Sequence, residues 1–371
     1  MTRLTHSHID PLVNPTRRRA TLRLATAAAA GFGGAAWMSF AQAQAAARLN
    51  VTAGHPPVFN WVSLIDSFVI PEIEKRTAGK MKFEWSKAYS GTVAKLGAES
   101  DAIRTGVSDF GIVATIFEAG KFPLQQLTLQ VPFGAENMGV VSKISHQLHE
   151  TVPELNESWA RQGLVWLGSV VVDDYCLVTK FPVQSLADLK GRKIFVPGPI
   201  ASWLQNTEAV AVAGNLNTYY NGIQTGVADG AIVSSANIWG IKLHEVAPHV
   251  TSAGLGAQFV GGLVINKRVF DKFPKDVQDV FVQVGREYSR QLVEKQSALV
   301  EEVKKNATAQ GAKYASLPAT ERQKWAQALP NLPQDWAKQV DSKGGGGTKS
   351  VRAYVEAIRA EGVSMPRDWL R

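Results

Sequence analysis

The stretch KMKFEWSKAYSGTVAKLGAESDAIRTGVSDFGIVA, residues 80–114, decides the fold class. Its first part, Lys80–Trp85, alternates as a strand does, and its last part, Asp109–Ala114, has the apolar character of a buried strand. Between them, the turn Tyr89–Gly91 leads into a helical pattern near Val93–Thr105. A strand, a helix and a second strand in this order are typical of α/β architecture with parallel strands.

The same alternation extends in both directions along the chain. A strand over Arg48–Ala53 and a helix over Val58–Lys75 precede the opening stretch. Further on, the patterns predict three strands, Leu164–Val172, Arg192–Val196 and Gly230–Val233, and two helices, Ala201–Val210 and Tyr219–Thr225. Because the alternation occurs twice, we expect two α/β lobes.

The C-terminal third has a different pattern. Apolar residues keep helical spacing from Lys275 as far as Val303, which predicts one helix over Lys275–Gln310. At ~1.5 Å per residue such a helix is about 54 Å long, enough to brace two lobes. We therefore assign lobe I and the bracing helices to residues 46–168 with 255–371, and lobe II to residues 169–254.

Residues 1–45 have the organisation of an export signal. The pair Arg18-Arg19 precedes an uncharged stretch, Leu24–Phe40, and then the small residues of a cleavage region, Ala41–Ala47. The arginine pair predicts a signal of twin-arginine type, removed on arrival in the periplasm. Ordinary secretion and a membrane anchor remain alternatives.

The net charge does not indicate a nucleic-acid partner. The chain has 40 Lys and Arg against 32 Asp and Glu, a formal charge of +8. Residues 1–45 contribute five Arg and one Asp, so 35 basic and 31 acidic residues remain, a net charge of +4. These charges are mixed, with no basic block interleaved with aromatic residues, which argues against nucleic acid.

The residue types of metal and redox sites are sparse. Cys176 is the only cysteine, which excludes an intramolecular disulfide and a cysteine metal site. The five histidines after residue 45 are scattered, and the adjacent carboxylates Asp173-Asp174 are expected to be solvated at a strand end. We expect no metal and no cofactor.

Five short blocks, in order and at similar spacing, resemble the DctP-type solute receptors of TRAP transporters. They are GVSDFGIV at 106–113, GKFPL at 120–124 leading to VPF at 131–133, SLADLKGRKIFVPG at 185–198, YNGIQTGVADG at 220–230 and KLHEV at 242–246. The resemblance implies a two-lobed periplasmic binding protein with a hinge. It also implies an extracytoplasmic receptor that closes on a small organic solute, usually an organic acid, and delivers it to a membrane permease driven by an ion gradient.

The chain departs from that family where the family holds a carboxylate. The resemblance implies an Arg on the strand after the Asp-Leu-Lys-Gly turn, and this chain has Phe195 there. A second family Arg aligns approximately with Asp174, and the family's Asn falls on Val233. A phenyl ring cannot form the two parallel hydrogen bonds of a guanidinium, so we expect a neutral, amine-bearing or aromatic solute packed against Phe195.

The candidate ligand-binding residues come from strand ends and from the family blocks. They are His55, Thr115, Phe117, Glu118, Asp174, Phe195, Asn217, Tyr220, Ser234, Ser235 and Asn237. Ligands gather just beyond strand ends in open α/β sheets, which is the reason for His55 and for Thr115, Phe117 and Glu118.

Two other functions remain open from the sequence. A periplasmic enzyme exported by the twin-arginine route is one, although the chain lacks Gly-x-Ser-x-Gly, Gly-x-Gly-x-x-Gly and His-Glu-x-x-His. The other is a ligand sensor for a membrane kinase. We expect a receptor rather than an enzyme.

Overall fold

The structure is a computed structural model that describes residues 46–371. The predicted export signal lies outside the described residues. In the part of the chain that the structure describes, no helix is both long and apolar enough to cross a membrane.

Eleven strands in the described residues form two sheets. The strands are β1 (Ala47–Thr52), β2 (Phe83–Ala88), β3 (Phe110–Val113), β4 (Leu164–Val172), β5 (Tyr175–Thr179), β6 (Lys193–Val196), β7 (Val210–Ala213), β8 (Gly230–Ser234), β9 (His249–Ser252), β10 (Gln258–Asn266) and β11 (Lys313–Ser316).

Both sheets are mixed rather than purely parallel. The first has the order β2-β1-β3-β10-β4, in which β1 is parallel to β2 and β3 while β10 is antiparallel to β3 and β4. The second has the order β11-β9-β5-β8-β6-β7, in which β6 is parallel to β7 and β8. Two sheets with helices around them confirm the predicted two-lobed α/β architecture.

Within the described residues the chain crosses between the sheets three times, and two of these crossings are short and lie close together. Asp173 and Asp174 alone separate β4 of the first sheet from β5 of the second. The segment 253–257 carries the chain back from β9 to β10. Strand β11 also joins the second sheet, beside β9, although the predicted boundaries assign its residues to lobe I. Those boundaries stay a prediction.

Thirteen α-helices in the described residues surround the sheets. They are α1 (Asn60–Leu64), α2 (Ile70–Thr77), α3 (Glu99–Thr105), α4 (Met138–Thr151), α5 (Pro153–Arg161), α6 (Tyr219–Gln224), α7 (Asn237–Gly240), α8 (Leu243–Val246), α9 (Lys267–Phe270), α10 (Lys275–Ala309), α11 (Ala319–Ala328), α12 (Leu332–Asp341) and α13 (Gly347–Ala360). A π-helical segment, Ile65–Val69, joins α1 to α2.

The bracing helix is confirmed. Helix α10 has 35 residues, Lys275–Ala309, and packs against β4 of the first sheet and against β11 of the second. Its buried face carries apolar residues at helical spacing, among them Val277, Phe281 and Leu292. The Tyr288 hydroxyl on the same face donates to the carbonyl oxygen of Trp61 at 2.8 Å.

Two facing glycines allow α10 to approach β4 closely. A Cβ placed on Gly285 of the helix would meet the backbone of Leu167, and one placed on Gly168 of the strand would meet the backbone of Gly285. Both obstacles are backbone atoms, which cannot move aside as a flexible side chain would. The sequence spacing therefore places a helix here, and these glycines let it lie against the sheet.

We expect Gly285→Ala to destabilise the protein by about 1–3 kcal/mol, because the added methyl group forces the brace away from β4. This cost exceeds the gain of up to about 1 kcal/mol that Ala brings to a helix interior. Urea denaturation measures the free energy of unfolding. The matched control is Gly120→Ala, where an added Cβ meets nothing within 4 Å. An equal stability change in both variants would contradict the close approach.

Two local predictions are wrong. The helix predicted near Val93–Thr105 begins only at Glu99, since Gly91 and Gly97 adopt positive φ angles of 72° and 83° in the turns before it. The helix predicted at Ala201–Val210 is a 3₁₀ segment, Gly198–Leu204, followed by strand β7. Positive φ angles of 60° at Asn206 and Glu208 separate the two.

Candidate functional site

A cavity partly open to solvent lies between the two sheets. The first sheet and its loops contribute one wall, made of His55, Trp61, Ile112, Ala114, Ile116, Phe117, Val170, Val172, Val260 and Gly261. The second sheet and its loops contribute the facing wall, made of Tyr175, Pro197, Asn215, Leu216, Tyr219, Ile232, Val233, Ser234 and Asn237.

The parallel strands place the cavity where ligands bind in α/β folds. His55 follows the end of β1, Phe117 follows β3, Pro197 follows β6, and Ser234 ends β8. The carboxyl ends of parallel strands open onto one edge of a sheet, and each lobe turns this edge toward the other. The cavity thus belongs to both lobes.

The part of the lining that comes from residues 46–371 contains no Asp, Glu, Lys or Arg. His55 is its only ionisable imidazole, and burial lowers the pKa of this side chain to about 4. His55 is therefore neutral near pH ~7. The described walls present no formal charge to a ligand.

Aromatic rings form much of the surface. His55 lies edge-on to Trp61, with ring centroids 5.4 Å apart, and 6.2 Å from the ring of Phe117. On the opposite wall, Tyr175 packs edge-on against Trp203. Tyr219 stacks on Phe195, which lies behind it. These rings offer flat apolar faces from both lobes.

A few uncharged polar groups interrupt the apolar surface. Asn237 donates through Nδ2 to Ser234 Oγ at 2.5 Å, which leaves the Ser234 proton and the Asn237 oxygen for another partner. Asn215 accepts the backbone N–H of Asn217 at 3.0 Å through its side-chain oxygen, so its own amide protons are free of that bond. His55 Nε2 and Thr115 Oγ1 are buried and have no partner among the described residues.

A hydrogen-bonded chain connects the brace, the crossing and the cavity rim. Asp173 is buried. Its carboxylate accepts hydrogen bonds from the N–H of Ala236 at 2.9 Å and from Nε2 of Gln296 on α10 at 3.1 Å. The oxygen of Gln296 in turn accepts Nδ2 of Asn60 on α1 at 3.1 Å. Asp173 therefore ties the long helix to the residue next to Asn237 of the cavity.

Asp174 ties the two short crossings to each other. Its Oδ1 accepts the N–H of Gly256 at 2.6 Å, beside the 3.4 Å backbone bond from Tyr175 N to Gly256 O. Burial raises the pKa of Asp174 to about 7, and it raises the pKa of Asp173 to about 6. Asp173 is buried and Asp174 is half-buried, and each carboxylate accepts a backbone N–H, so the expectation that this pair is solvated is wrong.

Four of the eleven candidate ligand-binding residues line the cavity. They are His55, Phe117, Ser234 and Asn237. Thr115 is buried immediately behind the wall, between the lining residues Ala114 and Ile116.

The buried Glu118 is outside the cavity and is satisfied by the protein. It accepts the N–H of Ser100 at 3.1 Å and Nζ of Lys121 at 2.9 Å, and the Ser100 hydroxyl also donates to it. The strand end is correctly located, but the carboxylate turns back toward the start of α3 rather than into the cleft.

Phe195 lies one layer behind the cavity wall, which corrects the expectation that a solute packs on it. The ring stacks on Tyr219, with centroids 5.4 Å apart, and fills the space beside Gly214 and Gly222. Side chains alternate along β6, and this register directs Phe195 into the core with Tyr219 and Ile223. Phe195 thus supports a lining residue instead of lining the cavity itself.

The remaining candidates point elsewhere. Asn217 is exposed, and the Tyr220 hydroxyl donates to Glu245 at 3.0 Å on the surface. Ser235 donates to the carbonyl oxygen of Asp174, and the Asp174 carboxylate itself is used at the crossing. None of these four is among the lining residues.

The lining also includes polar or aromatic residues that the sequence interpretation missed. Trp61, Tyr175, Asn215 and Tyr219 line the cavity but are not among the candidates predicted from the sequence. A signal for Tyr219 existed, since it immediately precedes the family block at 220–230. Among the described residues, no group of three His, Cys, Asp or Glu gathers in a way that suits a metal ion.

Comparisons with known proteins agree with this architecture. The family model described as "bacterial extracellular solute-binding protein, family 7", DctP, matches residues 69–339. A solute-binding protein of Albidiferax ferrireducens is 30% identical over 226 residues, which are 59% of this chain and 64% of that protein. The aligned region thus spans a little less than two thirds of this curated relative.

Solved structures show the same fold. A TRAP periplasmic solute-binding protein from Desulfovibrio salexigens superposes with a TM-score of 0.75 at 20% identity, covering 86% of this chain and 98% of that one. An extracytoplasmic solute receptor from Bordetella pertussis that binds pyroglutamic acid superposes with a TM-score of 0.73 at 21% identity, covering 83% and 99%. Since the family model spans well over half of the sequence, the chain belongs to the DctP family, family 7 of the bacterial extracellular solute-binding proteins.

Proposed function

We propose that this protein is an extracytoplasmic receptor that captures a small organic solute between its two lobes and delivers it to a TRAP-type permease driven by an ion gradient. The observation that carries the proposal is the cavity, whose walls come in comparable parts from the two sheets. A solute bound there contacts both lobes at once. Binding therefore favours the closed arrangement over the open one, and the short crossings at 173–174 and 253–257 are where a hinge would absorb the motion.

The family supports the partner and the compartment. DctP proteins are described as extracellular, and the Desulfovibrio protein as a TRAP periplasmic solute-binding protein. We propose that residues 1–45 direct export by the twin-arginine route and are then removed, which leaves the receptor in the periplasm. The permease subunits would recognise the closed form.

The chemistry of the lining also fits a receptor better than an enzyme. Catalysis of group transfer or hydrolysis usually uses a nucleophile beside a general base, or paired acids with shifted pKa values. The described lining offers flat rings and neutral hydrogen-bonding groups, which suffice for binding.

Thermal-shift screening of the purified protein tests the proposal, with a panel of organic acids, amides, aromatic compounds and polyols. Pyroglutamate belongs in the panel because the Bordetella receptor binds it. We expect at least one compound to raise the melting temperature by several degrees, since a ligand that binds only the folded state stabilises it. Small-angle scattering with that compound should give a smaller radius of gyration.

A matched pair of variants locates the binding. Val260 lines the cavity, so Val260→Trp fills part of it and should abolish the thermal shift. Val210 is 49% exposed on β7 outside the lining, so Val210→Trp should leave the shift unchanged. A panel without any hit, or a shift that survives in Val260→Trp, would count against the proposed receptor.

A further inference from the structure

The charge balance around the cavity is unfavourable for an anion. No described lining residue is a cation, and His55 is held neutral by its burial. Two carboxyl groups, Asp173 and Asp174, directly follow the lining residue Val172. Asp173 accepts the N–H of Ala236, the residue before Asn237 of the lining. A carboxylate that entered this cavity would lose its water and find no opposite charge among the lining groups.

The surface of the cavity suits a ring. His55, Trp61 and Phe117 line it from the side of the first sheet, and Tyr175 and Tyr219 line it from the side of the second. Aromatic side chains contact flat solutes by stacking or by edge-to-face packing, and here they are supplied by both lobes. A ring between the walls would therefore contact the two lobes together, as closure requires.

The polar groups of the lining suit an uncharged hydrogen-bonding substituent. Ser234 and the Asn215 amide can donate, whereas the Asn237 oxygen can accept. The unpartnered Nε2 of His55 adds one more neutral position. This mixture of donors and acceptors matches a carboxamide or a hydroxyl group, whereas an ionised carboxylate can only accept.

We infer that the solute is an uncharged molecule with a flat ring and an amide-like or hydroxyl substituent. This inference rests on the proposed function and narrows the ligand class of the same site. It also replaces the expected packing on Phe195 with packing on the five rings of the lining.

Isothermal titration with three probes tests the inference: benzamide, its charged counterpart benzoate, and the ringless amide acetamide. We expect the protein to bind benzamide at least about tenfold more tightly than benzoate, because only the anion leaves a charge unpaired on burial. We expect a similar preference for benzamide over acetamide, because acetamide lacks the ring that contacts the aromatic walls.

A charge added to the rim should reverse the first preference. Asn215 lines the cavity and is partly exposed, so Asn215→Arg places a guanidinium where it can pair with a carboxylate. We expect this variant to shift the ratio of benzoate to benzamide affinity toward benzoate by about tenfold or more. Asn217→Arg is the matched control, because Asn217 is exposed two residues away and lies outside the lining.

Two kinds of result would overturn the inference. Wild-type protein that binds benzoate as tightly as benzamide, or acetamide as tightly as benzamide, would refute the ligand class. So would failure of both ring probes while organic acids from the thermal-shift panel bind. The proposed receptor survives these results, because it fails only when no compound binds in the cavity that Val260→Trp fills.

Discussion

The free energy of unfolding of Asp174→Asn, minus that of the wild type, is expected to increase by on the order of 3–4 kcal/mol between about pH 4 and about pH 8. The reason is the burial of the carboxyl group at the crossing between the lobes, which raises its pKa from 3.8 to about 7. The variant keeps an oxygen that can accept the N–H of Gly256, but it has no proton to lose.

The sign follows from the direction of the pKa shift. A carboxyl group whose pKa is higher in the folded than in the unfolded protein binds its proton more tightly when folded. Its contribution to stability is fully present below the unfolded pKa and is lost as the pH rises through the folded value. Asp173, with a pKa raised to about 6, acts in the same direction and is present in both proteins. The neutral buried histidines act oppositely below about pH 6.5, which is why the comparison with wild type is needed.

Urea denaturation at several pH values between about 4 and about 8 measures the difference, and Asp188→Asn is the control. Hydrogen bonds from the backbone of Gln184 and Ser185 lower the pKa of Asp188, so it stays ionised through this window. We expect its stability difference from wild type to be a constant offset. Parallel pH profiles for wild type and Asp174→Asn would refute the raised pKa of Asp174.

The fold could be predicted because its signals are local and periodic. The spacing of apolar residues over Lys275–Ala309 specified the brace almost to the residue, and alternating strand and helix patterns indicated two α/β lobes. The sequence patterns did not predict five strands, β5, β7, β9, β10 and β11. Of these, β7 and β11 are short strands at the two edges of their sheet, where little burial enforces a pattern. Their β structure comes from pairing with distant strands, which one sequence does not display.

The site was harder to predict because it depends on side-chain direction. The strand ends were correct, which brought His55, Phe117, Ser234 and Asn237 into the cavity. The direction of the Phe195 side chain was not predicted correctly, because a strand side chain can point to either face of the sheet. The contacts that decide its direction are with Gly214 and Gly222, which belong to other elements. The sequence also did not reveal that Asp174 bonds at the crossing instead of lining the cavity, because its partner Gly256 is 82 residues away in the sequence.

We expect Phe195→Ala to lower the free energy of unfolding by about 3–5 kcal/mol. The ring occupies space that two glycines leave open, since a Cβ on Gly214 or Gly222 would lie 2.8 or 2.5 Å from its atoms. Neighbours without side chains cannot collapse into the cavity that Ala leaves. Because Tyr219 stacks on the ring and lines the ligand cavity, the affinity for a bound solute should fall as well. Tyr220→Ala, at a half-buried position of the same helix that packs in no core cluster of residues 46–371, should change the stability by less than about 1 kcal/mol.

The packing of Phe195 against Gly222 makes the effect of a second substitution depend on the first. In wild type, Gly222→Ala is expected to destabilise by about 1–3 kcal/mol, because the new methyl group overlaps the phenyl ring. In the Phe195→Ala background the overlap is gone. The same change should then stabilise by up to about 1 kcal/mol, because Gly222 lies within helix α6, where Ala is preferred to Gly. Urea denaturation of the four proteins gives the coupling free energy directly. Additive effects would show that the ring does not occupy this space, and a ring that turns instead toward the cleft would again be available to a solute.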